Sequence, residues 1–355
     1  MSIWIGNIVL MLFYSIFLNK RYILIRGKKT SLIVILMSLQ LLFLYTFNDY
    51  NIFPDTLAYL NLFDHVSKTG WLDIPQIRNH IYIKPDFGFI YFVKTLSFLF
   101  NNRTILLFVT GFVYIKSYFT IINRYSLIPW LAILLFISTV FYDSLFILRQ
   151  SLSVSVCLFS IPYIIERKLF KFLLLILIAF SIHQTSFIFI ILYLIFPYKI
   201  SMKFFFYSSI LGIVAFLGLR FVIDFVIPYL SGYSIYLEDV FELSNATSAI
   251  ISLIVFLFIL ICYYPFNNIS QYDRLFFHML LIYLIIDLSR FGLPGSIGRL
   301  NLYFTIGLVI LLPNAIKRIK QPVFKYISVI AISISYFILM INHMNYGFDL
   351  INFYY

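Results

Sequence analysis

The sequence predicts an all-α polytopic integral membrane protein with about 10–12 transmembrane or half-crossing helices. Three observations carry that reading. Of 355 residues, 62% are hydrophobic and 11% charged, against about 25% charged in soluble domains. Apolar runs of roughly 15 to 20 residues recur from end to end, long enough to cross a hydrocarbon core of about 30 Å. The basic residues gather in short connections between those runs, as in cytoplasmic loops. Residues 1–355 are therefore read as a single transmembrane domain, without room for a soluble domain of ordinary size. The net charge of +12 belongs to those loops, and no basic, aromatic-interleaved soluble surface is left to bind nucleic acid.

Taken in order, the first run (3–19) has no basic segment before it and is followed by Lys20, Arg21, Arg26, Lys28 and Lys29. That charge order predicts a retained helix with its N-terminus outside. The basic loop 20–30 lies inside, and helix 31–47 returns outward. Residues 48–86 form a long outer loop with Asp49, Asp55, Asp64, Asp73 and Asp86. Segment 88–101 spans only about 21 Å as a helix, too short to cross, and reads as re-entrant or interfacial. Helices 105–122, 129–147 and 149–165 then alternate in direction. The run 172–196 is interrupted by "SIHQTS" and reads as two half-helices turning at His183, a break tolerated at that depth only inside protein or beside a wet cavity. Helices 204–223, 248–265, 275–289, 301–316 and 327–343 complete the chain, with an outer loop at 224–247. The inner loops so defined hold only two acidic residues, Glu166 and Asp273. Cys157 and Cys262 lie in apolar runs without metal-ligand spacing and read as small packed hydrophobes. There is no short internal repeat.

Under this topology Asp55, Asp86, Arg149, His183, Arg290 and Arg299 all fall on the outer side. Arg149, in "FYDSLFILRQSLSVSV", reads either as a snorkelling helix-end residue or as a fork for two oxygens of a diphosphate. Arg290 and Arg299 flank "FGLPGSIG", either an ordinary outer turn or a second cationic lip, with Asp287 placed to orient Arg290. His183 is a structural histidine or a base for an attacking hydroxyl. Asp55 and Tyr59, one helical turn apart, and Asp86 are solvated loop groups or sugar-binding and general-base candidates. Metal-binding, nucleotide-binding and nucleophile-elbow motifs are absent from the sequence, so the expected chemistry uses no metal and no cofactor.

The order of these elements resembles the EpsG family of Wzy-like polysaccharide polymerases, from about residue 20 to 300. The likeness rests on D-x-x-x-Y (Asp55, Tyr59), "DFGFIYF" at Asp86, the Arg149–Gln150 pair opening a helix, "AFSIHQTS" around His183, and "RLNLYF" at Arg299. Asp86 stands where the family leads one to expect glutamate. The resemblance implies a membrane-embedded glycosyltransferase of the lipid-linked, GT-C-like kind, at the outer face of the bacterial cytoplasmic membrane. It would be a metal-independent, inverting oligosaccharide repeat unit polymerase. The growing glycan would pass from undecaprenyl diphosphate to a lipid-linked repeat unit, building O-antigen, capsule or exopolysaccharide. His183, Arg149 and Asp55 are then the expected catalytic residues, and Arg290, Arg299, Asp86, Tyr59 and Gln150 the expected diphosphate- and sugar-binding ones. The implied partners are undecaprenyl-diphosphate-linked oligosaccharide, the bilayer, a chain-length regulator and a flippase.

Two rivals stay open at this point. A lipid-linked saccharide flippase or transporter also uses broken helices and cationic cavities, but it predicts inverted repeats that the charge map lacks. A glycan ligase or acyltransferase also uses a buried histidine, but it predicts a second catalytic polar residue near His183, and Gln184 and Ser186 suit that role poorly.

Overall fold

The computed structural model describes residues 2–18, 21–25, 28–47, 54–80, 85–225, 243–266, 269–289 and 298–352. Among the described residues the chain is all-α apart from one short hairpin. Three helices are long and apolar enough to cross a membrane, 104–125, 148–165 and 322–339, and seven shorter apolar helices accompany them among the described residues. The chain divides into two compact units, residues 1–190 with 321–355, and residues 191–320.

The first unit opens with α1 (Ser2–Leu18) and a two-stranded antiparallel hairpin, β1 (Tyr22–Ile25) and β2 (Lys28–Ser31). Within the basic connection expected as a loop, residues 22–25 thus pair with 28–31. α2 (Leu32–Thr46) follows. Among its described residues the stretch 48–86 holds two helices, α3 (Pro54–Ser67) and α4 (Ile74–His80). α5 (Phe87–Leu99) is the short segment expected near 88–101, and α6 (Thr104–Tyr125) is a full-length span.

The expected helix 129–147 arrives in three pieces: α7 (Pro129–Phe136), a π turn (Ile137–Phe141) and α8 (Tyr142–Ser144). The sequence explains the widening. Ser138 and Thr139 donate to the carbonyls of Leu134 and Leu135, at 2.7 and 2.6 Å, competing with the regular backbone ladder. After a turn at 145–147 the chain continues as α9 (Leu148–Phe159) and α10 (Ile161–Ile165), then α11 (Leu169–Ile182). α9 meets α11 at a small residue: Ser153 is buried, and its Oγ donates to the Ala179 carbonyl at 3.0 Å. Small hydroxyl residues allow close approach between apolar helices, where no solvent effect drives association.

The helix break falls at His183, as expected, with extended backbone (φ −155°, ψ 116°). A 3₁₀ turn (Gln184–Phe189) packs against α11 and α9. α17 (Pro322–Asn352), defined with the C-terminal part of this unit, packs on the π turn and α7. The core is aromatic. Tyr118 lies against Phe136 with ring centres 4.6 Å apart, and the Tyr45 hydroxyl donates to the Ser144 carbonyl at 2.8 Å.

The second unit begins within α12 (Ile190–Ile195) and contains α13 (Met202–Phe225), α14 (Leu243–Tyr263), α15 (Gln271–Ser289), a 3₁₀ turn (Arg299–Tyr303) and α16 (Ile306–Arg318). The run expected as one helix over 301–316 therefore starts as a tighter turn. Asp287 is 1% exposed and accepts from Ser252 Oγ at 2.5 Å and Asn301 Nδ2 at 3.3 Å. Those two bonds tie α14, α15 and the 3₁₀ turn together.

Candidate active site

Asp86 stands at the N-cap of α5. An aspartate there ordinarily accepts from the first turn of its own helix, but this one makes no such bond. Its Oδ2 lies 3.8 Å from Arg149 Nη1 and 3.5 Å from His183 Nδ1. The three side chains are 14%, 18% and 22% exposed, so a small window to the outside remains. His183 Nδ1 is buried and makes no hydrogen bond among the described residues; the carboxylate is its charged neighbour.

Arg149 is the second residue of α9, and two anchors hold the turn before it. Tyr45 on α2 bonds to the Ser144 carbonyl, and Thr56 on α3 bonds to the Leu145 carbonyl. Arg149 Nε donates to the Tyr59 hydroxyl at 3.1 Å, and its guanidinium sits 5.8 Å from the centre of the Tyr59 ring. With Nε engaged, the guanidinium can offer an incoming anion only its Nη1–Nη2 edge. The N-terminal ends of α5 and α9 also meet here, each carrying partial positive charge.

Two contacts set the distance between α5 and its neighbours. Gly88 lies so close to α11 that an added Cβ would stand 2.3 Å from Ser181 Oγ and 2.5 Å from the Ser181 carbonyl oxygen. Asp86 is two residues before Gly88, and His183 two residues after Ser181. On the far end of α5, Lys94 is 6% exposed and donates to the carbonyls of Val66 and Thr69 at 3.1 and 2.6 Å, with Ser67 at 3.5 Å. A lysine at a helix C-terminus satisfies orphan carbonyls and complements the dipole, and this one fixes α3, which carries Tyr59, to α5.

Of the expected site residues, the structure brings Asp86, Arg149, His183 and Tyr59 together. Gln150 is buried in α9. Asp55 lies in the first turn of α3, one turn from Tyr59, and is exposed; no ion pair or hydrogen bond joins it to the cluster among the described residues. Arg299 opens the 3₁₀ turn of the second unit and is exposed. Arg290 lies outside the described residues, so the expected Asp287–Arg290 pairing does too. Sequence reading missed Thr56, Gly88, Ser181 and Lys94. Lys94 leaves a signal, as a lone charge in "FGFIYFVKTLSFL"; Gly88 and Ser181 fall inside the stretches quoted around Asp86 and His183, but neither their close contact nor the bond from Thr56 to the Leu145 carbonyl leaves a local pattern.

A model of the EpsG family matches residues 31–354, nearly the whole chain. No curated protein and no solved structure matches.

Proposed function

The chain belongs to the EpsG family, and from that premise we propose that it polymerises a surface polysaccharide at the outer face of the bacterial cytoplasmic membrane. The donor is a glycan on undecaprenyl diphosphate and the acceptor a single lipid-linked repeat unit. The observation that carries the reading is the Asp86–Arg149–His183 cluster, ionisable groups gathered at three helix ends of an apolar bundle. Such groups are costly within a membrane domain and mark function by default.

The chemistry runs as follows. The Asp86 carboxylate, 3.5 Å from His183 Nδ1, favours the proton on that nitrogen by its charge, leaving Nε2 as the acceptor, the logic of a base held by a carboxylate. His183 takes the proton from the attacking sugar hydroxyl. That oxygen bonds to the anomeric carbon as the bond from the same carbon to the diphosphate oxygen breaks, and the electron pair leaves with the diphosphate. Arg149 faces the developing charge, and one preorganised donor of this kind contributes about 3 kcal/mol. Attack opposite the leaving group inverts the anomeric centre. Arg149 is a permanent cation, so the mechanism routes no step through a metal, and polymerisation should persist in chelator.

The test is the lipid-linked saccharide pool of cells lacking the protein, with each species assigned to a leaflet, then restored with wild type, His183→Ala or Arg149→Ala. The expected result is single repeat units accumulating in the outer leaflet, with long chains returning only with wild type. Units trapped in the inner leaflet would point to a flippase, and normal long chains still on their lipid to a ligase; either overturns the polymerase.

A further inference from the structure

The cluster as drawn lacks charge for its task. Asp86 and Arg149 are its permanent charges, and at 3.8 Å they offset each other, while a diphosphate leaving group is multiply anionic. A further cation is required, and Arg78 on α4 reaches this place.

Arg78 Nε donates to the Pro85 carbonyl at 2.8 Å. Its guanidinium lies 4.6 Å from the centre of the Phe87 ring. It therefore holds the residues on both sides of Asp86. With Nε committed to Pro85, Nη1 and Nη2 are left, and neither has an ion pair or hydrogen bond among the described residues. Asp86, the carboxylate between the two residues that Arg78 holds, is shared by Arg149 and His183. Capping one carbonyl needs a single donor, which many side chains supply. A guanidinium fixed by a ring stack and a hydrogen bond, with its outer edge unspent, is preorganised to take two oxygens at little further entropic cost.

The geometry points to Arg78 as a second diphosphate-binding residue, acting with Arg149 on the leaving group of a polyprenyl-diphosphate donor. The assignment rests on the polymerase reading and supplies the partner cation that Arg149 needs.

The test uses the full chain in lipid nanodiscs and measures equilibrium binding of undecaprenyl diphosphate and undecaprenyl phosphate. Arg78→Ala should bind the diphosphate about tenfold more weakly, with a much smaller loss for the monophosphate. Arg78→Gln keeps a donor for the Pro85 carbonyl but drops the charge, and it should lose the same preference while its thermal midpoint stays at wild type. Wild-type preference in Arg78→Gln overturns the assignment, as does an equal loss for both lipids, which would make Arg78 a loop organiser only. If Arg78→Ala does not fold, the glutamine variant alone decides between these outcomes. A wild-type protein with no preference for the diphosphate sinks the polymerase reading before any substitution is compared.

Discussion

Gly88→Ala isolates one contact on which the site depends. The new Cβ would stand 2.5 Å from the Ser181 carbonyl oxygen and 2.6 Å from its carbonyl carbon. Relaxed contacts between such atoms lie near 3.5 Å, so α5 and α11 must part by about 1 Å at this point. Overpacking of that kind costs about 1–3 kcal/mol of stability. The functional loss should be larger. Asp86 and His183 each sit two residues from the clash, and opening the helices lengthens their 3.5 Å approach. A misplacement of about 1 Å in a reacting constellation can cost about 100-fold in rate. The assay is polymer formed from lipid-linked repeat units by purified protein, beside a thermal midpoint. Ser181→Ala alone should be nearly neutral, and Gly88→Ala with Ser181→Ala should stay defective, because the backbone clash remains. Rescue by Ser181→Ala would refute the reasoning, since the obstacle would then be a movable hydroxyl. Full activity of Gly88→Ala would refute it outright.

Tyr59→Phe removes the acceptor for Arg149 Nε but keeps the ring; kcat/KM should fall about tenfold, or 1.4 kcal/mol, with little change in thermal midpoint. Lys94→Met keeps the stem and strips the carbonyls at the end of α3 of their donors; it should cost about 2 kcal/mol of stability and lower activity through the displaced Tyr59, seen by thermal denaturation in detergent. In the turn between α10 and α11, Lys168 holds the Glu166 carboxyl below its usual range, mainly by a hydrogen bond and next by its charge. A depressed carboxylate stabilises above its ordinary titration range, and that contribution is lost as pH falls through its folded-state value. Lys168→Ala should therefore raise the Glu166 midpoint in an NMR titration, while the neutral-pH thermal midpoint stays fixed because the pair is open to water.

What was legible in the sequence follows from the kind of signal each feature leaves. The spans were legible because burying backbone in lipid demands long apolar helices, and those leave runs. The break at His183 was legible because four polar residues interrupt such a run. α3 and α4 were read as loop because their polar composition outweighed a helical pattern that only packing against α5 makes stable. The π turn was not visible, since it depends on Ser138 and Thr139 choosing backbone acceptors. Asp86, Arg149 and His183 were each singled out by residue type, but their meeting depends on Gly88 fitting against Ser181, a contact 93 residues apart in sequence that no local pattern encodes. Arg78 leaves no local signal either, because its place beside Asp86 depends on how α4 packs against α5.

Aspartate at position 86, where the family resemblance suggested glutamate, also follows from this packing. The carboxylate belongs to the residue at the N-terminal boundary of α5, and Gly88 lets α5 come hard against α11. With the helix that close, the short side chain already reaches Arg149 at 3.8 Å and His183 at 3.5 Å. One more methylene adds about 1.5 Å, and a side chain of that reach must buckle or push its partners apart. Asp86→Glu should therefore lower the polymerisation rate substantially, although the charge is unchanged. Asp86→Asn, which keeps the length and loses the charge, should cost about 100-fold or more, because the imidazolium formed at His183 would have no counter-charge. Gly88→Ala sets the direction of a double test. If the helices part by about 1 Å, Asp86→Glu should recover activity in the Gly88→Ala background while harming the wild type. Such a reversal of sign is expected only if the separation of α5 from α11 sets the reach of the carboxylate; additive losses in the double variant would refute that coupling.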